Sequence, residues 1–191
     1  MEEKELVIQS KEGHKEAFSL LVEKYKSKVF HLALSMIHNE QTADDIAQDV
    51  FIKAFYSLPK FKFKSEFGTW LYRITVNKAK DYMRKEKKFK KAVYKKTENF
   101  TTPKGDEFKE KEKKEEKEHR KILLYKILQT LPEKYQTVIS LRDIQGYSYA
   151  KITNILKISQ GTVNSRLHRA RKMLRKKAAP LLFEKGIDNE M

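Results

Sequence analysis

An all-α protein, two small helical domains joined by a charged linker, is the fold class this sequence predicts, and three observations carry the expectation. The 191 residues include only 6 Gly and 4 Pro, so turn signals are few. The apolar residues recur in alternating steps of three and four, the helical period rather than the strand period of two. Between two such stretches lies a run dominated by Lys and Glu, which a packed core cannot use. Hydrophobic residues at 39% and aromatics at 11% suffice for real cores, while the charged fraction of 36% exceeds the roughly 25% of an average globular protein.

Taken in order, Phe18, Val22, Tyr25, Val29, Leu32 and Met36 form one stripe of a long first helix that ends at residues 38–41. Thr42, with Asp45 three residues on, is the expected N-cap of a second helix reaching about Leu58, where Pro59 stops it. Its buried side is Ala47, Phe51, Ala54 and Leu58. After a loop, a third helix places Tyr72, Val76, Ala79 and Met83 on one side and ends in the basic run 84–88, closing a first domain over 1–88. Residues 89–121 are the linker, in which Glu107/Lys111 and Glu110/Lys114 have the spacing of an exposed helix.

The second domain, 122–191, resumes apolar spacing at Ile122, Leu124, Tyr125 and Leu128. Pro132 opens a helix whose apolar side is Val138, Leu141 and Ile144, and Gly146 closes it. Ser148 then begins a short helix carrying Ile152, Ile155 and Leu156, a tight turn falls at Lys157 and Ile158, and Ser159 caps a longer helix with Val163, Leu167, Ala170 and Leu174 buried. That is the size and rhythm of a helix-turn-helix.

Charge narrows the function classes. With 42 Lys and Arg against 26 Asp and Glu, the net charge is +16, which points to a polyanion such as nucleic acid or, more simply, to solubility. Zero cysteines exclude a disulfide framework, a thiolate zinc site and a catalytic thiol. The N-terminus lacks a signal-peptide core and no stretch of about 18 apolar residues occurs, so a cytoplasmic chain that is not membrane-embedded is expected. Asp44, Asp45 and Asp49 have no His companion and no further acidic ligand at metal spacing. No catalytic residue, metal or cofactor is expected.

Three surfaces are candidates for binding. The last helix has seven basic residues and no acidic one between Gln160 and Lys177, and Thr162, Ser165, Arg166 and Arg169 fall at helical spacing on its outward face. Such a helix suits a major groove, with early residues on base edges and later cations on phosphates. On the second helix Asp45, Gln48, Asp49, Ile52 and Tyr56 share a face that would repel DNA and suits a basic protein partner, mere solubility being the simpler alternative. On the third helix Trp70, Arg73, Asn77, Lys80 and Arg84 align behind Phe61, Phe63 and Phe67. Aromatic, amide and cationic groups together are what single-stranded recognition uses, although Trp70 by itself reads as core.

Four segments carry a resemblance: 43–55 (ADDIAQDVFIKAF), 67–74 (FGTWLYRI), 131–135 (LPEKY) and 161–171 (GTVNSRLHRAR) are similar to extracytoplasmic-function sigma factors of bacterial RNA polymerase, in the same order. The resemblance implies that Asp45, Gln48, Asp49, Ile52 and Lys53 meet the β′ clamp helices of core RNA polymerase. It implies that Phe61, Arg73, Asn77 and Lys80 serve the minus-ten element, with Phe61 and Asn77 holding a base flipped from the non-template strand. Thr162, Asn164, Ser165, Arg166, His168 and Arg169 would contact the minus-thirty-five element of promoter DNA as duplex. An anti-sigma factor is the implied regulator. The chain departs from the family pattern at Lys151, where Glu is usual, and at Lys157, where the turn often has Gly. The competing classes are a stand-alone helix-turn-helix regulator, a nuclease or recombinase, and a basic RNA-binding scaffold.

Overall fold

The computed structural model describes residues 2–94 and 123–183. It begins with a helix that periodicity does not announce, α1 (Glu3–Lys11), which buries Leu6 and Val7. Glu3 and Glu5 lie in its first turn, where the helix dipole favours negative charge. Glu3 also fastens α1 to the next helix, accepting a hydrogen bond from Tyr25 Oη at 2.7 Å and pairing with Lys24 at 2.6 Å. Burial works against the Glu3 carboxylate, but its bonds to Lys24 and Tyr25 prevail and hold the group below its usual range. A nine-residue helix with two buried aliphatic side chains leaves no stripe to detect.

Helices α2 (Lys15–Ile37), α3 (Glu40–Ser57) and α4 (Phe67–Tyr94) form the rest of the first block. Tyr25, Val29, Leu32 and Met36 are buried as their spacing predicts, joined by Leu21 and Ala33, while Phe18 and Val22 are only half-buried at the rim. The cap of α3 is Asn39 rather than Thr42: its side-chain oxygen accepts the Thr42 N–H at 2.9 Å, so the helix starts earlier than expected. Ala47, Ala54 and Leu58 are buried with Ile46 and Val50, and Phe51 is half-buried. The third predicted helix, α4, does not end at 84–88 but continues to Tyr94. Lys and Glu are good helix formers, so the loss of apolar spacing ended the buried stripe and not the helix. The charged positions 107–114 lie outside the described residues.

Gly68 sets how closely α4 approaches α2. A Cβ there would fall 2.7 Å from Tyr25 Oη and 2.8 Å from its ring. That ring is fixed by the bond to Glu3 and by edge contacts with Phe67 and Tyr72 at 5.6 and 6.1 Å. Gly68→Ala is therefore expected to lower stability by about 1 to 2 kcal/mol, because overpacking outweighs the roughly 1 kcal/mol that Ala gains in helix propensity. Thermal unfolding checks this, and a raised Tm would contradict it.

The second block comprises α5 (123–129), α6 (Glu133–Ile139), α7 (Tyr149–Leu156) and α8 (Gln160–Phe183). Pro132 stands at the N-cap of α6, as expected of a residue without an N–H. A π-helical turn, Ser140–Ile144, then widens the helix, with Gln145 N–H bonded to Ser140 O at 2.9 Å. The extra residue rotates Ile144 away from the core, so it is 40% exposed rather than on the apolar side with Val138 and Leu141. The helix-turn-helix follows its sequence signals: Ser148 accepts the Lys151 N–H, Lys157 adopts φ 53° in the turn, and Ser159 accepts the Thr162 N–H. Val163, Leu167 and Ala170 are buried and Leu174 half-buried.

The two blocks pack against each other and share one hydrophobic cluster. Ser140 Oγ donates to Ser35 O at 2.8 Å, and the Gln145 amide donates to His31 O at 3.0 Å. His38, in the left-handed conformation that ends α2, stacks on Tyr125 with ring centroids 4.3 Å apart. Burial draws its imidazole down to about 4, so the ring is neutral where it stacks.

Candidate functional site

The acidic face of α3 is exposed, as the pattern of buried residues on the opposite side requires. Asp45, Gln48, Asp49, Ile52 and Lys53 all reach solvent, with Ile52 56% and neighbouring Tyr56 75% exposed. The Gln48 amide donates to Asp44 at 2.8 Å, and Lys78 of α4 pairs with Asp49 at 2.8 Å. Beside this face a groove between α2 and α3 is lined by Phe30, Ala47, Gln48 and Phe51. Asp44, Lys26 and His31 also line that groove, and the exposed Asp45 and Asp49 with the apolar Ile52 suit a basic, partly apolar protein surface.

At the start of α4 the aromatic cluster is tighter than an open platform. Phe61 is 5% exposed, its ring 5.0 Å from those of Phe63 and Trp70, and Lys11 donates to its carbonyl at 2.9 Å. A concavity there is walled by Lys60, Phe61, Trp70, Arg73 and, from the other block, Lys157. Asn77 is exposed on the same helix and does not line that concavity. Arg73 and Lys80 are half-buried, with partners that sequence spacing did not suggest. The Arg73 guanidinium donates to Asn154 O at 2.7 Å and Ile155 O at 3.3 Å, and Lys80 stands 3.8 Å from Glu133. Burial lowers the Lys80 ammonium from its ordinary range, against the pull of Glu133.

On α8 the outward row is Asn164, Ser165, His168 and Arg169. Thr162 and Arg166 differ from the expected shared face: both are half-buried, Thr162 because its hydroxyl lies 2.9 Å from that of the capping Ser159. A groove along this row also takes in Tyr149, Gln160, Arg171, Lys172 and Arg175. Arg171 is held there by a two-pronged pair to Asp143 at 2.6 and 3.1 Å, and Arg142 stacks over Tyr149 at 4.9 Å. Tyr149 and Asp143 belong to other elements, so no spacing along α8 could have found them. Among the described residues no group of three or more His, Asp or Glu is placed to hold a metal ion, and no helix is long and apolar enough to cross a membrane.

An acidic-apolar protein face, an aromatic-cationic face and a basic helix-turn-helix on one chain define a protein that joins a protein partner to nucleic acid. Residues 21–89 match the Sigma-70 region 2 family, and residues 121–174 match Sigma-70, region 4. The chain is 37% identical over 183 residues to the ECF RNA polymerase sigma factor SigW of Bacillus subtilis, covering 93% of this chain and 97% of that protein. It is 34% identical over 187 residues to the RNA polymerase sigma-H factor of Pseudomonas aeruginosa, covering 96% and 97%. Among solved structures, CnrH in complex with the cytosolic domain of CnrY is similar at a TM-score of 0.64 and 26% identity, covering 92% of this chain and 96% of that one. The sigma factor RpoE of Bartonella quintana, solved with the anti-sigma factor NepR, shares the fold at a TM-score of 0.58 and 22% identity, covering 83% of this chain and 94% of that one. The chain belongs to the extracytoplasmic-function sigma factors of the sigma-70 family, which direct promoter-specific initiation by RNA polymerase.

Proposed function

We propose that this chain is a dissociable specificity subunit made of a region-two domain over 1–88, a linker over 89–121 and a region-four domain over 122–191. The α3 face, Asp45, Gln48, Asp49, Ile52 and Lys53, docks on the β′ clamp helices of core polymerase. Phe61, Arg73, Asn77 and Lys80 serve the minus-ten strand, and capture of an unpaired base there helps open the duplex. Thr162, Asn164, Ser165, Arg166, His168 and Arg169 serve the minus-thirty-five duplex. The protein works in the cytoplasm, carries out no chemistry of its own and needs no cofactor. Its regulator is an anti-sigma factor, the kind of partner with which the Bartonella quintana relative was solved.

The observation that carries this reading is the exposed row Asn164, Ser165, His168 and Arg169 on a capped helix of a helix-turn-helix, flanked by Lys172 and Arg175. Base-reading groups and phosphate-neutralising groups lie side by side on it. Arg169→Ala is expected to weaken promoter binding by the polymerase complex by about 1 to 3 kcal/mol, with altered preference at one position of the minus-thirty-five element. Arg166→Ala, half-buried, is expected to lose less. Binding titrations over single-base promoter variants at several salt concentrations test both. A loss equal for every sequence, with a shallower salt slope, would assign Arg169 to phosphate, and no loss would remove it from the interface.

A further inference from the structure

A base that stacks on protein needs an open ring face, and Phe61, at 5% exposure, does not offer one. Phe67 is buried as well and Trp70 is half-buried, so of the four rings packed together at the start of α4 only Phe63 is exposed, at 42%. Its backbone is as unusual as its exposure. Phe63 lies in the left-handed region, φ 54°, where the Cβ of a bulky residue crowds the following carbonyl oxygen and Gly or Asn is favoured. Phe61 is extended, φ −70° and ψ 120°, and residues two apart in an extended run share a side, so an unbroken run would carry Phe63 inward beside Phe61. The left-handed residue breaks the run and leaves the Phe63 ring at the surface, its centroid still 5.0 Å from that of Phe61. Neither backbone preference nor burial accounts for an aromatic side chain here, and conformations of this kind persist where a site uses them.

Cations surround the ring. Lys60, Lys62 and Lys64 alternate with Phe61 and Phe63 and are all exposed, and with Arg73 they wall the concavity beside Phe61 and Trp70. From α1, Lys11 donates to Phe61 O at 2.9 Å and sets its ammonium 5.1 Å from the Phe63 centroid, which helps hold the loop in this shape. Lysine is depleted from the buried centres of protein interfaces, so an aromatic ring flanked by three of them fits a stacked base between phosphates better than an apolar protein segment.

We propose that Phe63 is the ring on which an unpaired base of the minus-ten strand stacks, with Phe61 packed behind it as support and Lys60, Lys62 and Lys64 neutralising the neighbouring phosphates. Every base has a flat face, so Phe63 contributes affinity for the parted strand without choosing its sequence. This role for Phe63 deepens the reading of the loop and α4 as the strand face and rests on it.

The test uses the full chain assembled with bacterial core polymerase and a promoter found by run-off transcription, prepared in two forms. One is a forked template whose non-template strand is unpaired through the minus-ten element, and the other is the upstream duplex alone. Phe63→Leu keeps apolar bulk without a flat ring, and Phe63→Gly suits the left-handed backbone. Both are expected to lower affinity for the forked template about tenfold, within the range for one base on one ring, and to leave affinity for the upstream duplex unchanged. The salt dependence of forked-template binding should keep its slope, because no phosphate contact is lost. Phe63→Tyr should retain wild-type affinity, and Phe63→Gly should keep or raise Tm because it relieves the backbone. Wild-type affinity in Phe63→Leu, or a loss in Phe63→Tyr as large as in Phe63→Leu, overturns the proposal. Equal losses on both templates, with a lowered Tm for Phe63→Gly, assign the ring to the fold and overturn it too. A wild-type complex that yields no chain-dependent transcript, or that binds both templates alike, sinks the strand-face reading and this role with it. A forked-template preference that Phe63→Leu retains in full sinks the role of Phe63 alone.

Discussion

Asp49→Lys is expected to weaken binding to core RNA polymerase at least a hundredfold while leaving the fold intact. Asp49 is exposed on α3, where it makes a surface pair with Lys78. Losing such a pair costs at most about 1 kcal/mol of stability. At an interface the substitution exchanges attraction for repulsion against a basic partner, where like-charge juxtaposition costs several kcal/mol, and about 2.8 kcal/mol is a hundredfold in affinity. Ile52, more than half exposed beside it, supplies apolar contact that a charge change leaves in place, so Asp49→Asn should lose less. Fluorescence titration of labelled chain with core enzyme checks both, and an unchanged affinity for Asp49→Lys would remove the α3 face from the interface.

The second large effect separates folding from base capture. Phe61 is 5% exposed and packed against Phe63, Phe67 and Trp70, so Phe61→Ala opens a cavity and is expected to cost about 3 to 5 kcal/mol of stability. For a chain of this length that lowers Tm by roughly 10 °C. Asn77 is exposed, and Asn77→Ala should change stability by no more than about 0.5 kcal/mol. It should nevertheless impair opening of a duplex promoter, where unpairing a base costs a few kcal/mol that its amide would help offset. On a template already mismatched across the minus-ten element, Asn77→Ala should recover activity and show relaxed base preference. Unchanged preference would remove Asn77 from the minus-ten contact, and an unchanged Tm for Phe61→Ala would show that the aromatic cluster does not hold the first block together.

What sequence could reveal follows from the range of each interaction. Ser148 and Ser159 cap their helices through bonds three residues away, and the stripes from Tyr25 to Met36 and from Val163 to Ala170 repeat within a few turns, so both were legible. Asn39 competed with Thr42 for one cap, and both residue types suit it, so local pattern could not choose. The π turn at Ser140 leaves no periodic trace in five residues. Arg73 meeting Asn154, Arg84 meeting Glu133 and Arg171 meeting Asp143 join residues far apart in the chain, which no spacing rule reaches. Asp45, Gln48, Asp49, Ile52, Lys53, Asn77, Asn164, Ser165, His168 and Arg169 lie exposed as their spacing implied, whereas Phe61 is buried and Arg73, Lys80, Thr162 and Arg166 are half-buried by contacts that spacing does not show. Which of them the second block covers was visible only in the packed arrangement.

Whether this chain gives core polymerase its promoter choice is tested most directly by run-off transcription of genomic fragments with bacterial core enzyme in the presence and absence of the full chain. Discrete transcripts are expected that appear only with the chain, that disappear with Asp49→Lys, and whose start sites share two upstream elements. Transcripts identical with and without the chain would contradict it.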